Sequence, residues 1–190
     1  MLQPPFAERR PVVREAVEWA ARMHADQRRA LDRAPFVLHP LEVASLLSGR
    51  GFDDEVLAAG ILHDVVENTT ATVADVASRF GERVAEIVAA VSEDPSIEDY
   101  DERKAALRER ARAGGIAARA VYAADKLAKA RELRSQAASD PSVLVDAHNL
   151  LRLEHYRQSL AMLVEAGDDQ PMVDQLAFEL WALRALPPEA

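Results

Sequence analysis

The stretch Asp53-Asp54-Glu55-Val56-Leu57-Ala58-Ala59-Gly60-Ile61-Leu62-His63-Asp64-Val65-Val66-Glu67-Asn68 decides how this chain folds. Asp53 is a cap residue, whose carboxylate accepts from the free N–H groups of a first helical turn. Phe52 before the cap and Leu57 at the fourth helical position form a hydrophobic staple. The pattern predicts a helix from Asp54 to about Asn68. On it His63 and Glu67 share one face and Asp64 and Asn68 the face beside it, because residues four apart stack. Val56 and Gly60 continue the His63 stripe inward. A mid-helix glycine costs about 1 kcal/mol relative to alanine, which is tolerable where another backbone or a ligand must come close.

Helical periodicity extends to both sides, and no convincing alternating strand interrupts it. A first helix begins near Pro11, where a missing N–H costs nothing, and carries the stripe Val13, Val17, Ala20, His24, Gln27. Arg28 to Leu38 reads as a loop, and Pro40 as the first position of a short helix to about Leu47. Thr72 with Asp75 resembles a capping box and opens a helix to Phe80, with Gly81 separating it from Glu82–Val91. Ser92–Asp101, acidic and containing Pro95, reads as a solvated loop. Further helices are expected over Glu102–Ala113, over Ile116–Arg134, from Asp140-Pro141 onward, and over Pro171–Ala185, ending before Pro187-Pro188. The expectation is an all-α fold in a single compact domain over 1–190, with a core at about 11–165 and a C-terminal helix at about 171–185.

Composition agrees. The chain has 190 residues, 49% apolar and 29% charged, a foldable mixture. Aromatics are only 5%, so Ala, Val and Leu must build the core, which favours closely packed helices. A net charge of −9 repels phosphate backbones, so no nucleic-acid polymer is expected as partner, although a local cation cluster can still hold a small phosphorylated ligand. The absence of cysteine excludes disulfides, thiolate metal sites and a cysteine nucleophile. No apolar run approaches the roughly 20 residues that span a bilayer, and Met1–Phe6 does not read as an export signal. No membrane partner is expected, and a cytoplasmic location is.

Three segments combine polar ligands with apolar surroundings: Phe36-Val37-Leu38-His39-Pro40, the His63-Asp64 helix, and Ala123-Ala124-Asp125-Lys126-Leu127. Asp125 shares an apolar face with Ala118, Val121 and Ala128. A carboxylate aimed into a core is expensive unless something positive meets it, and a metal ion satisfies that requirement. His39, His63, Asp64 and Asp125 therefore form a candidate two-histidine, two-aspartate set. Imidazole and carboxylate without thiolate suit Mn²⁺, Fe²⁺, Co²⁺, Ni²⁺ or Zn²⁺.

His-Pro at 39–40, Leu-His-Asp-x-Val-Glu-x-Thr at 62–69 and Ala-Asp-Lys-Leu at 124–127, in that order, resemble the HD-domain metal phosphohydrolases. The resemblance is greater to the hydrolase domain of RelA/SpoT proteins and the stand-alone small alarmone hydrolases, and runs from about Val13 to Tyr156. It includes His24-x-x-Gln27-Arg28-Arg29, Phe80-Gly81 and Arg103-Lys104. It implies an HD-domain helical bundle and Mn²⁺-dependent removal of pyrophosphate from the ribose 3′ position of ppGpp or pppGpp, a small nucleotide substrate. It makes His39, His63, Asp64 and Asp125 the metal ligands and Glu67 the first of two paired acidic catalytic residues. It places Arg29, with Arg28 beside it, in a basic nucleotide-contact segment, and matches Tyr156 to a tyrosine lining the nucleotide pocket.

Three departures from the family pattern bear on substrate. Asn68 stands where the family usually has a second acid; its amide can orient water but cannot exchange a proton. Lys129 stands where an asparagine is common, and either takes a substrate phosphate or pairs with Asp125. Ala30 replaces a lysine that the basic loop tends to carry. Lys126 either faces phosphate or is solvated. His24 reads as a hydrogen-bonded core residue, His148 and His155 as structural or exposed, Trp19 and Trp181 as packing residues, and Arg103–Arg112 as a charged outer face. Two alternatives stand beside the alarmone hydrolase: an HD nucleotide phosphatase with another substrate, and a degenerate module that binds a nucleotide without turnover.

Overall fold

The computed structural model describes residues 3–29, 32–167 and 171–185, and the fold is all-α, with nine α-helices and no strand among them. The reading of Ala30 and of the stop at Pro187-Pro188 lies outside the described residues. The chain divides into two compact units, Met1–Tyr122 and Ala123–Ala190.

The first unit contains α1 (Pro11–Met23), α2 (Leu38–Ser48), α3 (Asp54–Asn68), α4 (Val73–Phe80), α5 (Glu82–Val91), α6 (Tyr100–Ala113) and the beginning of α7 (Gly115–Ser139). α3 is its centre and packs against α1, α2 and α5. Every residue from Val56 to Val65 is buried, the signature of a helix enclosed on all sides. Asp53 caps α3 as expected, its carboxylate accepting from Val56 N at 3.0 Å. Gly60 is the close-approach point: a Cβ there would sit 2.6 Å from Leu47 Cδ1 and 3.4 Å from Val43 Cγ1. The neighbour that comes close is helix α2. The capping box at Thr72 and Asp75 is present with both its reciprocal bonds.

Helix α2 starts at Leu38, two residues before the predicted Pro40. Proline is accommodated there because the first-turn N–H groups have no intrahelical partner. His39 thus belongs to the first turn of α2. α6 likewise begins earlier than predicted, at Tyr100, capped by Asp99 on Glu102 N.

The second unit contains the rest of α7, α8 (Ala147–Glu165) and α9 (Pro171–Ala185), with α8 packed on α9. The cap-plus-proline signal at Asp140-Pro141 opens a single 3₁₀ turn, Pro141–Leu144, and not the long helix, which starts after its own cap, Asp146. Buried Glu179 of α9 pairs with Arg131 (3.4 Å) and Arg134 of α7, fixing these helices together. Trp19 is packed as predicted, 7% exposed, but Trp181 is 63% exposed and stacks beside Phe178. The correction has a simple cause: the buried face of α9 carries Met172, Val173, Leu176, Glu179, Leu180 and Leu183, and Trp181 falls off it. No described helix is long and apolar enough to cross a membrane.

Candidate metal centre and cleft

In the first unit, α2 and α3 bring His39, His63 and Asp64 together. Asp64 is 2% exposed, and its Oδ2 lies 3.5 Å from His39 Nε2 and 3.3 Å from His63 Nε2. The two imidazoles meet edge to face, centroids 5.3 Å apart. His63 Nδ1 is 2.8 Å from the Gly60 carbonyl oxygen. A carbonyl only accepts, so Nδ1 carries a proton, and Nε2 is the ring atom that faces the Asp64 carboxylate. A buried carboxylate calls for positive charge beside it. The same arrangement, a ring N–H given to a backbone carbonyl, orients metal-ligating histidines. The donor set therefore fits a divalent cation.

His24, also buried, stands behind this group. Its Nδ1 lies 2.8 Å from Gln27 Oε1 and its ring 4.9 Å from that of Phe36, the core role expected of it. Burial is the main reason its basicity falls below the ordinary histidine value of 6.5, with the Gln27 bond acting in the opposite direction. Gln27 continues the chain of contacts, its Nε2 donating to the Asn68 carbonyl at 2.6 Å. The first-helix motif is thereby tied to the last turn of α3. Gln27 stands in the quoted motif, but its residue type alone does not reveal this tie.

Glu67 and Asn68, the last two residues of α3, are exposed. They line a cleft of about 550 Å³ with Val66, Glu93, Pro95 and Arg103. Here the sequence reading needs correction: residues 92–101 are more than a solvated loop, and Arg103–Arg112 more than an outer face. Ser92 is buried, and Glu93 pairs with Arg103 (2.8 Å) and with Lys104. The missed signal was the spacing of Arg103 and Lys104 with Leu107 and Ala111, the buried positions of α6.

Arg28 and Arg29 lie on the α1–α2 loop. Arg28 donates to the Ala25 and Gln27 carbonyls at 3.2 and 3.0 Å, and Arg29 pairs with Asp32. That pair, together with the Ala34 N–H, holds the Asp32 carboxyl at about 2.

In the second unit Asp125 is 4% exposed, with Lys126 Nζ 2.7 Å from Oδ2 and Lys129 Nζ 2.8 Å from Oδ1. Lys126 is buried, so it is not the solvated lysine of one reading, and Lys129 takes up the expected pairing with Asp125. Tyr156 is 3% exposed, its hydroxyl accepting from Arg152 Nε at 3.3 Å. His155 is buried and His148 exposed.

A family model described as HD domain matches residues 16–150. The chain belongs to the HD-domain family. Guanosine-3′,5′-bis(diphosphate) 3′-pyrophosphohydrolase MESH1 of Xenopus tropicalis is 38% identical over 126 residues, 65% of this chain and 70% of that protein. The bifunctional (p)ppGpp synthase/hydrolase SpoT of Escherichia coli (strain K12) is 38% identical over 93 residues, 49% of this chain but only 13% of that far longer protein. A solved structure, of a metazoan ortholog of SpoT described as hydrolysing ppGpp, superposes with a TM-score of 0.78 at 27% identity, covering 98% of this chain and 100% of that one. The resemblance read from the motifs holds, and with it the class of enzyme: a metal-dependent phosphohydrolase. Divalent metal is the family's cofactor, and buried His39, His63 and Asp125 are donors of the kind that hold it.

Proposed function

We propose that this chain is a guanosine-3′,5′-bis(diphosphate) 3′-pyrophosphohydrolase, folded as one HD-type domain and working in the cytoplasm with Mn²⁺. The observation that carries the reading is Asp64 flanked by two imidazole nitrogens at 3.3 and 3.5 Å on an enclosed helix, one turn from Glu67. The MESH1 match over most of the chain supports the substrate. The family match at 16–150 supports a single domain, since it runs through the 122–123 boundary of the two units.

His39, His63, Asp64 and Asp125 are the proposed ligands. When bound, a divalent cation there supplies Lewis acidity, making water more acidic and a phosphoryl oxygen more electrophilic. Glu67 takes the proton from the attacking water. Asn68 orients that water through its amide without exchanging a proton. Water adds to phosphorus as its bond to the ribose 3′ oxygen breaks; the oxygen leaves with a proton and the two phosphates leave as pyrophosphate. Arg28, Arg29, Lys126 and Lys129 are proposed to meet the substrate phosphates, and Tyr156 to line the nucleotide pocket. The buried metal set makes a purely binding module the weakest of the alternatives.

Loading the chain with Mn²⁺ and following pyrophosphate release from ppGpp tests the reading. Glu67→Gln should retain the metal and lose about 10²–10⁴-fold in turnover, the scale of a general base. Metal-loaded protein that cleaves other nucleotides but not ppGpp contradicts the substrate. That second reading, a nucleotide phosphatase of different specificity, is favoured by one observation: Lys129 occupies Asp125 Oδ1 at 2.8 Å, where the family commonly has asparagine.

A further inference from the structure

Glu67 lies in the exposed last turn of α3, where a carboxylate is ordinarily free to change rotamer, yet this one is held from outside its own element. Its Oε1 accepts the backbone N–H of Glu93 at 2.5 Å. The Glu93 carboxylate in turn lies between Arg103 Nε at 2.8 Å and the ammonium of Lys104. Arg103 also donates Nη1 to the carbonyls of Ile97 (2.8 Å) and Glu98 (2.9 Å), so residues 93–98 wrap one guanidinium. The Glu93, Arg103 and Lys104 side chains are 23, 24 and 17% exposed, so the clamp between the α5–α6 loop and α6 is largely shielded from water. Glu67, Glu93 and Arg103 all line the cleft.

We infer that Glu93, clamped by Arg103 and Lys104, is a positioning residue that holds Glu67 in its proton-accepting orientation. The inference rests on the reading of Glu67 as the base. Two physical needs are met together. A base is effective only when its oxygen stays within hydrogen-bond reach of the water it deprotonates, and a fixed N–H donor removes the rotamer freedom that would break this. A second carboxylate beside the base would repel it, and the two cations neutralise Glu93 so that only its N–H acts on Glu67. Glu93 reaches the reaction through Glu67.

The test is a set of variants of the full chain loaded with Mn²⁺, with ppGpp as substrate. Glu93→Ala should lower kcat about tenfold with KM and bound metal nearly unchanged, the pattern of an interaction needed only at the chemical step. The isosteric Glu93→Gln, which guards against loss of folding, should fall between it and the native chain. In the Glu67→Gln background Glu93→Ala should produce no further loss, because two residues acting as one unit are not additive. Hydrogen exchange of the Glu93 amide, which needs no turnover, should quicken in Glu67→Ala. A native kcat in both Glu93 variants, or a loss that multiplies with that of Glu67→Gln, overturns the positioning role. Native turnover by Glu67→Gln alone overturns instead the reading of Glu67 on which the role rests.

Discussion

Gly60→Ala places one methyl group in the contact that sets the distance between the two histidine-bearing helices. The new Cβ would stand 2.6 Å from Leu47 Cδ1, against an ordinary contact of 3.4–4 Å, so about 1 Å must be found by moving Leu47 or by parting α2 from α3. Alanine gains about 1 kcal/mol of helix propensity, and overpacking a filled core costs about 1–3 kcal/mol. The net loss of stability is therefore modest, about 0–2 kcal/mol. The metal should feel more. His39 rides on α2, while His63 is fixed by the Gly60 carbonyl itself. Disturbing such an orienting partner typically costs about 10–100-fold in metal affinity. Calorimetric titration of metal-stripped protein with Mn²⁺, beside thermal unfolding, separates the two effects. Leu47→Ala alone should cost about 2–5 kcal/mol for its cavity; combined with Gly60→Ala it should cost less than the sum, since the methyl enters the space vacated. Native Mn²⁺ affinity in Gly60→Ala, or strict additivity of the pair, refutes this account of the glycine.

Asp64→Ala and Asp125→Ala should each lose bound metal and activity together, read by metal analysis of the purified proteins. Asn68→Asp restores a second acid beside Glu67 and should accelerate ppGpp cleavage; an unchanged or slower rate argues for the other nucleotide specificity. The Asp75 carboxyl is held below its ordinary 3.8 by the Thr72 hydroxyl and then by the Thr72 N–H. The folded group thus resists a proton that the unfolded one accepts below 3.8, and the stabilisation is present above that pH and lost as pH falls through the folded value. The difference in Tm between native and Asp75→Asn protein should hold at neutral pH and vanish in acid; a difference that persists unchanged to low pH contradicts the capping assignment.

The α3 segment was legible because every level of its sequence agrees: a cap at Asp53, an unbroken buried run, and polar pairs four residues apart. Its two proposed ligands, His63 and Asp64, and the proposed base Glu67 could be named from the sequence. The start of α2 was misplaced because proline is tolerated anywhere in a first turn, so Pro40 marks a neighbourhood and not a position. At Asp140-Pro141 the same cap-plus-proline chemistry serves a 3₁₀ turn, which local sequence does not distinguish from a helix start. Gly60 was read as a close approach, but its neighbour, Leu47, is a tertiary fact. The tie from Glu93 to Glu67 was invisible for a related reason: it runs through a backbone N–H, which leaves no trace in residue identity. Only the two cations holding Glu93 lay open to reading, on the buried stripe of α6 with Leu107.

Pyrophosphate released from ppGpp per bound Mn²⁺, compared between the native chain and His63→Ala, tests most directly whether the buried imidazole–carboxylate group runs the chemistry. The account predicts steady release by the native protein at one ion per chain, with ion and release both lost in His63→Ala. A His63→Ala protein that keeps its ion and its rate would contradict it.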